Sequence, residues 1–371
     1  MSIFSSRKTF YKLLFIILSL SLSFVFLEAG IRLILPSQRH PVLYQKSESG
    51  SHLLKPNVKL KYSQKEFSHD IFTNSAGFRN KKELFNENII LFIGDSFTFG
   101  AGVDEENHYS YIFDRLLNWN KERFNVYNAG VPGYCTIDEY LYIKDLINRR
   151  LDIKVIILGV DISDFNENLL VPIYDIMDGR LVFSTKEKKG IIVRVINFLA
   201  TNSELVNFIY YRIVHSSVLK NYFDSILNYE YFSINLPDKN LGLFARQKDQ
   251  TSSRKLKVFE EYLIKIIELC REHDIELYVY YIPMILEIYD ESYQSTLKTY
   301  DLKPGDFDLS FLNEYIKSIA IENNVQFLDL KSDLLRFNDY PLYFLIDQHF
   351  NKYGNFIAGI SLYKNYLNKQ K

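Results

Sequence analysis

Hydrophobic and polar positions fall into three regimes along the chain. Near the N-terminus, Arg7, Lys8 and Lys12 precede LLFIILSLSLSFVFL (13–27), a run of apolar residues and serines only. Extended to Leu35, the run is long enough to cross about 30 Å of hydrocarbon as a helix. It takes in Glu28 and Arg32, whose i,i+4 spacing lets them pair on one helix face. Basic residues upstream favour an N-terminus on the cytoplasmic side. Everything after about residue 40 is then expected outside the cytoplasm. A cleaved signal peptide is the alternative. No small-x-small site follows the run, so residues 1–36 are read as a retained anchor.

Residues 37–72 are mixed and polar with little periodicity, and read as a linker. From residue 73 on, short apolar runs alternate with segments of helical spacing. NIILFIGD (88–95), FNVYNAG (124–130), KVIILGVD (154–161), IELYVYYIP (275–283) and VQFLDL (325–330) predict five buried strands. HYSYIFDRLLNWN (108–120), IDEYLYIKDLINRRL (137–151), LKVFEEYLIKIIELCREHD (256–274), DLSFLNEYIKSIAIENN (308–324) and the C-terminal NKYGNFIAGISLYKNYLNK predict helices. Strands alternating with helices imply a parallel sheet covered on both faces. Residues from about 165 to 250 break the rhythm with helix-like pieces, and we read them as an insertion. Where α/β folds place their sites, such an insertion is either a lid or substrate wall, or a decoration away from the chemistry.

Size and composition narrow the function classes. With 371 residues, 47% of them hydrophobic, the chain can bury a large core. A net charge of -1 without a basic cluster excludes nucleic acid as the main partner. The 28 Tyr and 29 Phe are compatible with carbohydrate or lipid contact, but ordinary core packing is the favoured reading. Cys135 and Cys270 form no C-x-x-C, which gives no zinc or redox motif. They read as two buried thiols, with a disulfide as the alternative in an oxidising compartment. No metal-ligand cluster and no cofactor motif is found, and none is expected.

The stretch IILFIGDSFTFGA (89–101) invites a phosphate-loop reading, but its glycines lack the G-x-x-x-x-G-K-[ST] and G-x-G-x-x-G spacings. A nucleophile fits better. Ser96 follows Gly94-Asp95 at the end of a buried strand, where a sharp turn exposes the hydroxyl and backbone N–H groups face an oxyanion. Serine needs a base held by a third group. Of the seven histidines, His40, His52, His69, His108, His215 and His273 sit in contexts without a signature. His349 lies in LYFLIDQHFNKYGN, two residues after Asp347 and just before a helix. Asp-x-His on a turn lets the carboxylate meet imidazole Nδ1–H and leaves Nε2 for the serine proton. Asp95 and Asp164 read as turn caps rather than acid–base groups.

On these residues the chain resembles the SGNH (GDSL-like) hydrolase superfamily. GDSFTFG matches the first block, NAGVPGY the second and DQHFNKYG the fifth; NSAGFRN and the anchor ending EAGIRLIL resemble membrane-anchored bacterial members. The blocks come in order and spread over residues 74–360. The third block departs from the pattern: VIILGVDISDFNEN places Ser163-Asp164 where Asn-Asp is usual, with Asn166 and Asn168 able to compensate.

The resemblance implies a flavodoxin-like α/β/α sandwich over residues 73–371, with Ser96, His349 and Asp347 as triad. It also implies an oxyanion hole from the N–H groups of Ser96 and Gly133 with Ser163. The implied activity is that of a serine esterase or O-acyltransferase acting on acylated glycans or lipids of the cell envelope. The chain would be held at the inner membrane by one helix, with the catalytic domain extracytoplasmic. A catalytically weak glycan-binding or assembly protein of the same fold is the alternative that the third block raises. Protein partners are not indicated.

Overall fold

The computed structural model describes residues 2–34, 41–47, 50–119, 124–183 and 241–370, with short pieces between 199 and 209. Two compact units are distinguished: Met1–His40 with Thr185–Asn228, and Pro41–Ser184 with Tyr229–Lys371.

In the first unit, α1 (Ser2–Ile34) is a continuous helix. Its Thr9–Ile34 stretch is long and apolar enough to cross a membrane, and its apolar side chains are exposed. Glu28 and Arg32 pair at 2.7 Å, as their spacing predicts. The Glu28 carboxylate also accepts the Ser203 hydroxyl and the N–H groups of Glu204 and Leu205 at 2.8–3.0 Å. The helix-like pieces at 191–200 and 204–227 otherwise lie outside the described residues.

The second unit is built on five parallel strands: β5 (Ile89–Ile93), β6 (Asn125–Asn128), β7 (Ile153–Val160), β10 (Glu276–Tyr281) and β11 (Gln326–Phe327). Their spatial order is β6-β5-β7-β10-β11. Counted along the chain this is 2-1-3-4-5, the flavodoxin-like order, and all five strands coincide with the apolar runs. β5 is apolar and buried at every position, and β7 and β10 nearly so, because both faces of the sheet are covered. In β5, Ile89, Leu91 and Ile93 point into one core, and Ile90 and Phe92 into the other.

The first core is closed by α4 (Thr136–Asn148), α6 (Gln250–Glu272) and α9 (Phe311–Glu322). The second is closed by α3 (Tyr109–Trp119), α10 (Leu330–Leu335) and the C-terminal α11 (Lys352–Lys369). Each fully buried Ile, Leu or Phe contributes about 1.5–3 kcal/mol. The result is a three-layer α/β/α sandwich. Short helices α2 (Ser96–Phe99) and α5 (Ile162–Glu167) follow β5 and β7 directly, and α7 (Ile285–Ile288) and α8 (Asp290–Tyr300) follow β10.

Residues 41–72 differ from the linker reading. They form two antiparallel hairpins, β1 (Tyr44–Lys46) with β2 (His52–Leu54) and β3 (Lys59–Ser63) with β4 (Ser68–Phe72). Leu43, Tyr44, Leu53, Leu54 and Ile71 are buried in the first core. These strands are three to five residues long, too short to carry a clear period, and their polar positions hide the buried ones. A further hairpin, β8 (Tyr174–Met177) with β9 (Arg180–Phe183), follows α5. Cys135 and Cys270 are both free and buried, and burial pushes both thiols up, Cys270 to about 12.

Candidate active site

The three sequence blocks meet at the carboxyl edge of the sheet. After β5 the chain turns through Gly94 and Asp95 into α2. The turn needs glycine: a Cβ on Gly94 would stand 2.1 Å from Thr98 Oγ1 and 2.8 Å from the Gly159 carbonyl. Asp95 caps α2, its carboxylate accepting Phe97 N–H at 2.9 Å, which agrees with its reading as a turn cap. Ser96 opens the helix. Arg79, from NSAGFRN, is buried and donates to the carbonyls of Phe99, Gly100 and Val103, fixing the far end of the turn.

His349 arrives from the other end of the chain. It precedes Asn351, which caps α11 by accepting the N–H groups of Tyr353 and Gly354. His349 Nε2 lies 2.7 Å from Ser96 Oγ, and Nδ1 lies 2.6 Å from Asp347 Oδ1. The Phe97 ring packs on the imidazole with centroids 4.7 Å apart. With Nδ1–H donated to Asp347, Nε2 is the acceptor that faces the serine hydroxyl. A second acceptor, Asp95 Oδ2, lies 3.1 Å from the same hydroxyl.

Electrostatics follow from this packing. Burial alone lowers the pKa of His349, but the Asp347 carboxylate, with Asp95 and Asp161 nearby, outweighs it and the net direction is upward. Burial raises Asp347, and the histidine outweighs it, so Asp347 lies below the usual carboxylate range. Behind the site, desolvation pushes the carboxyls of Asp95, Asp161, Asp164, Glu139 and Glu167 up, Asp161 to about 7.

Gly133 lies in the loop after β6, at φ +80°, where a Cβ would meet the Tyr174 ring at 2.6 Å. Tyr174 belongs to β8, so the first, described part of the 165–250 segment reaches this loop. Among the described residues none accepts the Gly133 N–H.

Ser163 is placed differently from its expected role. Its N–H and its hydroxyl both donate to Asp161 Oδ1, at 2.6 and 2.5 Å. Asp161 in turn donates its N–H to Asp164 in a capping box at the start of α5. The Ser163 proton is thus engaged in the cap. Asn166 accepts from buried Lys255 at 2.6 Å, and Asn168 accepts the Ile137 N–H. The residue that leaves the end of β7 is Asp161. Its charge acts on His349. Reading the sequence for an Asn-Asp pair passes over this aspartate.

Of the other histidines, His52, His69 and His108 are buried, and His273 ends α6. His40 and His215 lie outside the described residues. No group of three or more His, Cys, Asp or Glu suited to a metal ion occurs among the described residues.

No family model and no curated protein matches the chain. Solved structures do. A member of the lipolytic protein G-D-S-L family from Veillonella parvula is 13% identical, covering 74% of this chain and 94% of its own, with a TM-score of 0.38. An acetylxylan esterase from Geobacillus stearothermophilus, solved as a catalytic mutant, is 14% identical, covering 76% and 96%, with a TM-score of 0.40. The acetyl xylan esterase AlAXEase is 16% identical, covering 74% and 98%, also at 0.40. Within this chain, the 2-1-3-4-5 sheet gathers the three sequence blocks at its carboxyl edge.

Proposed function

We propose that the protein is a serine esterase or acyl-transfer enzyme acting on O-acyl esters, O-acetyl esters first among them, of cell-envelope glycans or lipids. The observation that carries the reading is the unbroken chain from Ser96 Oγ to His349 to Asp347, with contacts of 2.7 and 2.6 Å. In this mechanism Ser96 Oγ attacks the ester carbonyl carbon while its proton passes to His349 Nε2. Asp347 holds the ring and stabilises the imidazolium. The N–H groups of Ser96 and Gly133 face the oxyanion. Collapse of the tetrahedral intermediate breaks the bond to the leaving alcohol, which takes the proton from His349. Water then attacks the acyl-enzyme with His349 again as base. A sugar hydroxyl in place of water makes the same cycle a transfer.

The glycan or lipid substrate class rests on the membrane-length helix α1 and its basic N-terminal flank, which favour an extracytoplasmic domain. A C-terminal alkaline phosphatase fusion to the full chain is expected to be active; an inactive fusion at normal expression contradicts that placement. The reading itself is tested with the full-length chain on p-nitrophenyl acetate and acetylated oligosaccharides. Because His349 is the base, kcat/KM should rise as pH passes upward through its raised pKa, above the usual imidazole value near 6.5.

Ser163 separates two versions of the oxyanion hole. Its hydroxyl is committed to Asp161, so Ser163→Ala should lower kcat only a few-fold. A loss of about 10²–10³-fold, the size expected for an oxyanion donor, would return Ser163 to the role that the third block suggested.

A further inference from the structure

Outside the five-stranded sheet, the turn between β3 and β4 carries an acidic side chain with an unusual set of partners. The Glu66 carboxylate accepts three consecutive backbone N–H groups: Leu345 at 3.0 Å, Ile346 at 2.8 Å and Asp347 at 2.7 Å. Successive N–H groups converging on one carboxylate form a filled anion nest, and charged acceptors make the stronger hydrogen bonds. The third of these groups belongs to the residue whose side chain holds His349.

The nest does what side-chain burial does not. Leu345 is 78% exposed and Ile346 55%, so hydrophobic packing of these two residues fixes little of the loop. Phe344, before them, packs against Phe67 of the same hairpin with ring centroids 5.1 Å apart. After them, Gln348 adopts φ +67° and donates its N–H to the Phe344 carbonyl at 3.1 Å. This tight reversal brings Asp347 back onto His349. The loop is held at its two ends by Phe344 and α11, and between them by Glu66. Removing the carboxylate leaves three adjacent amides without their acceptor at the point where the Asp347 carboxylate is aimed.

We infer that Glu66 is a positioning residue for the Asp347–His349 pair, so that the β3–β4 hairpin is part of the catalytic apparatus. This rests on the esterase reading for its kinetic consequences, though not for its structural one. The groups facing the pair are few. Asp347, Asp95 and Asp161 act on His349, and Phe97 covers its ring. His349 and His69 on β4 face Asp347, and burial pushes the His69 pKa down to about 3. Asp347 raises the His349 pKa, so loosening it must move that pKa down.

The test uses the full-length chain in detergent with Glu66→Ala and Glu66→Gln. Glu66→Ala should lower kcat/KM for p-nitrophenyl acetate by about 10–10²-fold, as misplacement of about 1 Å does, with most of the loss in kcat. Its acid limb should shift to lower pH. Glu66→Gln keeps one carbonyl acceptor and should lose less, and it serves if the alanine variant fails to fold. The second readout needs no turnover. The His349 Nδ1 proton, deshielded by its 2.6 Å contact, should give a downfield resonance that is absent in His349→Ala and moves upfield or broadens in the Glu66 variants. Folded variants with kcat/KM within twofold of wild type, an unmoved acid limb and an unmoved resonance overturn the inference. If the wild-type chain hydrolyses no ester, the esterase reading fails, and the resonance alone decides the role of Glu66: displacement supports it and an unchanged signal overturns it.

Discussion

His349→Ala is expected to lower kcat for ester hydrolysis by about 10⁴-fold or more while the thermal midpoint moves by only a few degrees. The two halves of this expectation have different origins. The imidazole Nε2 is the nearer of the two acceptors at the Ser96 hydroxyl, at 2.7 Å against 3.1 Å for Asp95, whose carboxylate is also engaged by Phe97 N–H in the α2 cap. Yet the His349 side chain is 20% exposed and that of Asp347 28%, so water can solvate the carboxylate left behind. The net loss is then one charge-assisted hydrogen bond and a ring contact, about 1–3 kcal/mol. Kinetics on p-nitrophenyl acetate and calorimetry in the same detergent measure both. A collapse of the midpoint would make His349 a packing residue and remove the base from the account.

Ser96→Ala is expected to cost at least as much in kcat, and the Ser96→Ala/His349→Ala double variant should be no worse than either single. Nucleophile and base act as a unit, so their effects do not add. The serine itself is nearly weightless for the fold: its hydroxyl touches His349 and Asp95 only, and Asp95 keeps its bond to Phe97 N–H. Losses that multiply in the double variant would mean that the two residues contribute separately.

How far the site was legible depended on the range of each signal. β5, β7 and β10 can be read because both faces are buried, which makes their apolar runs nearly continuous. Ser96 became readable only with Asp347 and His349, whose Asp-x-His spacing is local although the pair meets Ser96 across 253 positions. Residues 41–72 were not legible, since strands of three to five residues between polar neighbours carry no period. Ser163 was matched to a residue-type pattern, whereas the structure commits its hydroxyl to Asp161, the residue at the strand end. Glu66 left no trace at all. Its partners are backbone amides some 280 residues away, and a backbone donor has no residue type to recognise.

Covalent labelling decides whether Ser96 is an activated nucleophile. The full-length, folded protein is treated with a fluorophosphonate probe and the adduct is located by peptide mass spectrometry. One adduct is expected, on Ser96, formed much more slowly in His349→Ala and absent in Ser96→Ala. A folded wild-type protein that takes no label, or a Ser96→Ala variant that labels as fast as wild type, would contradict it.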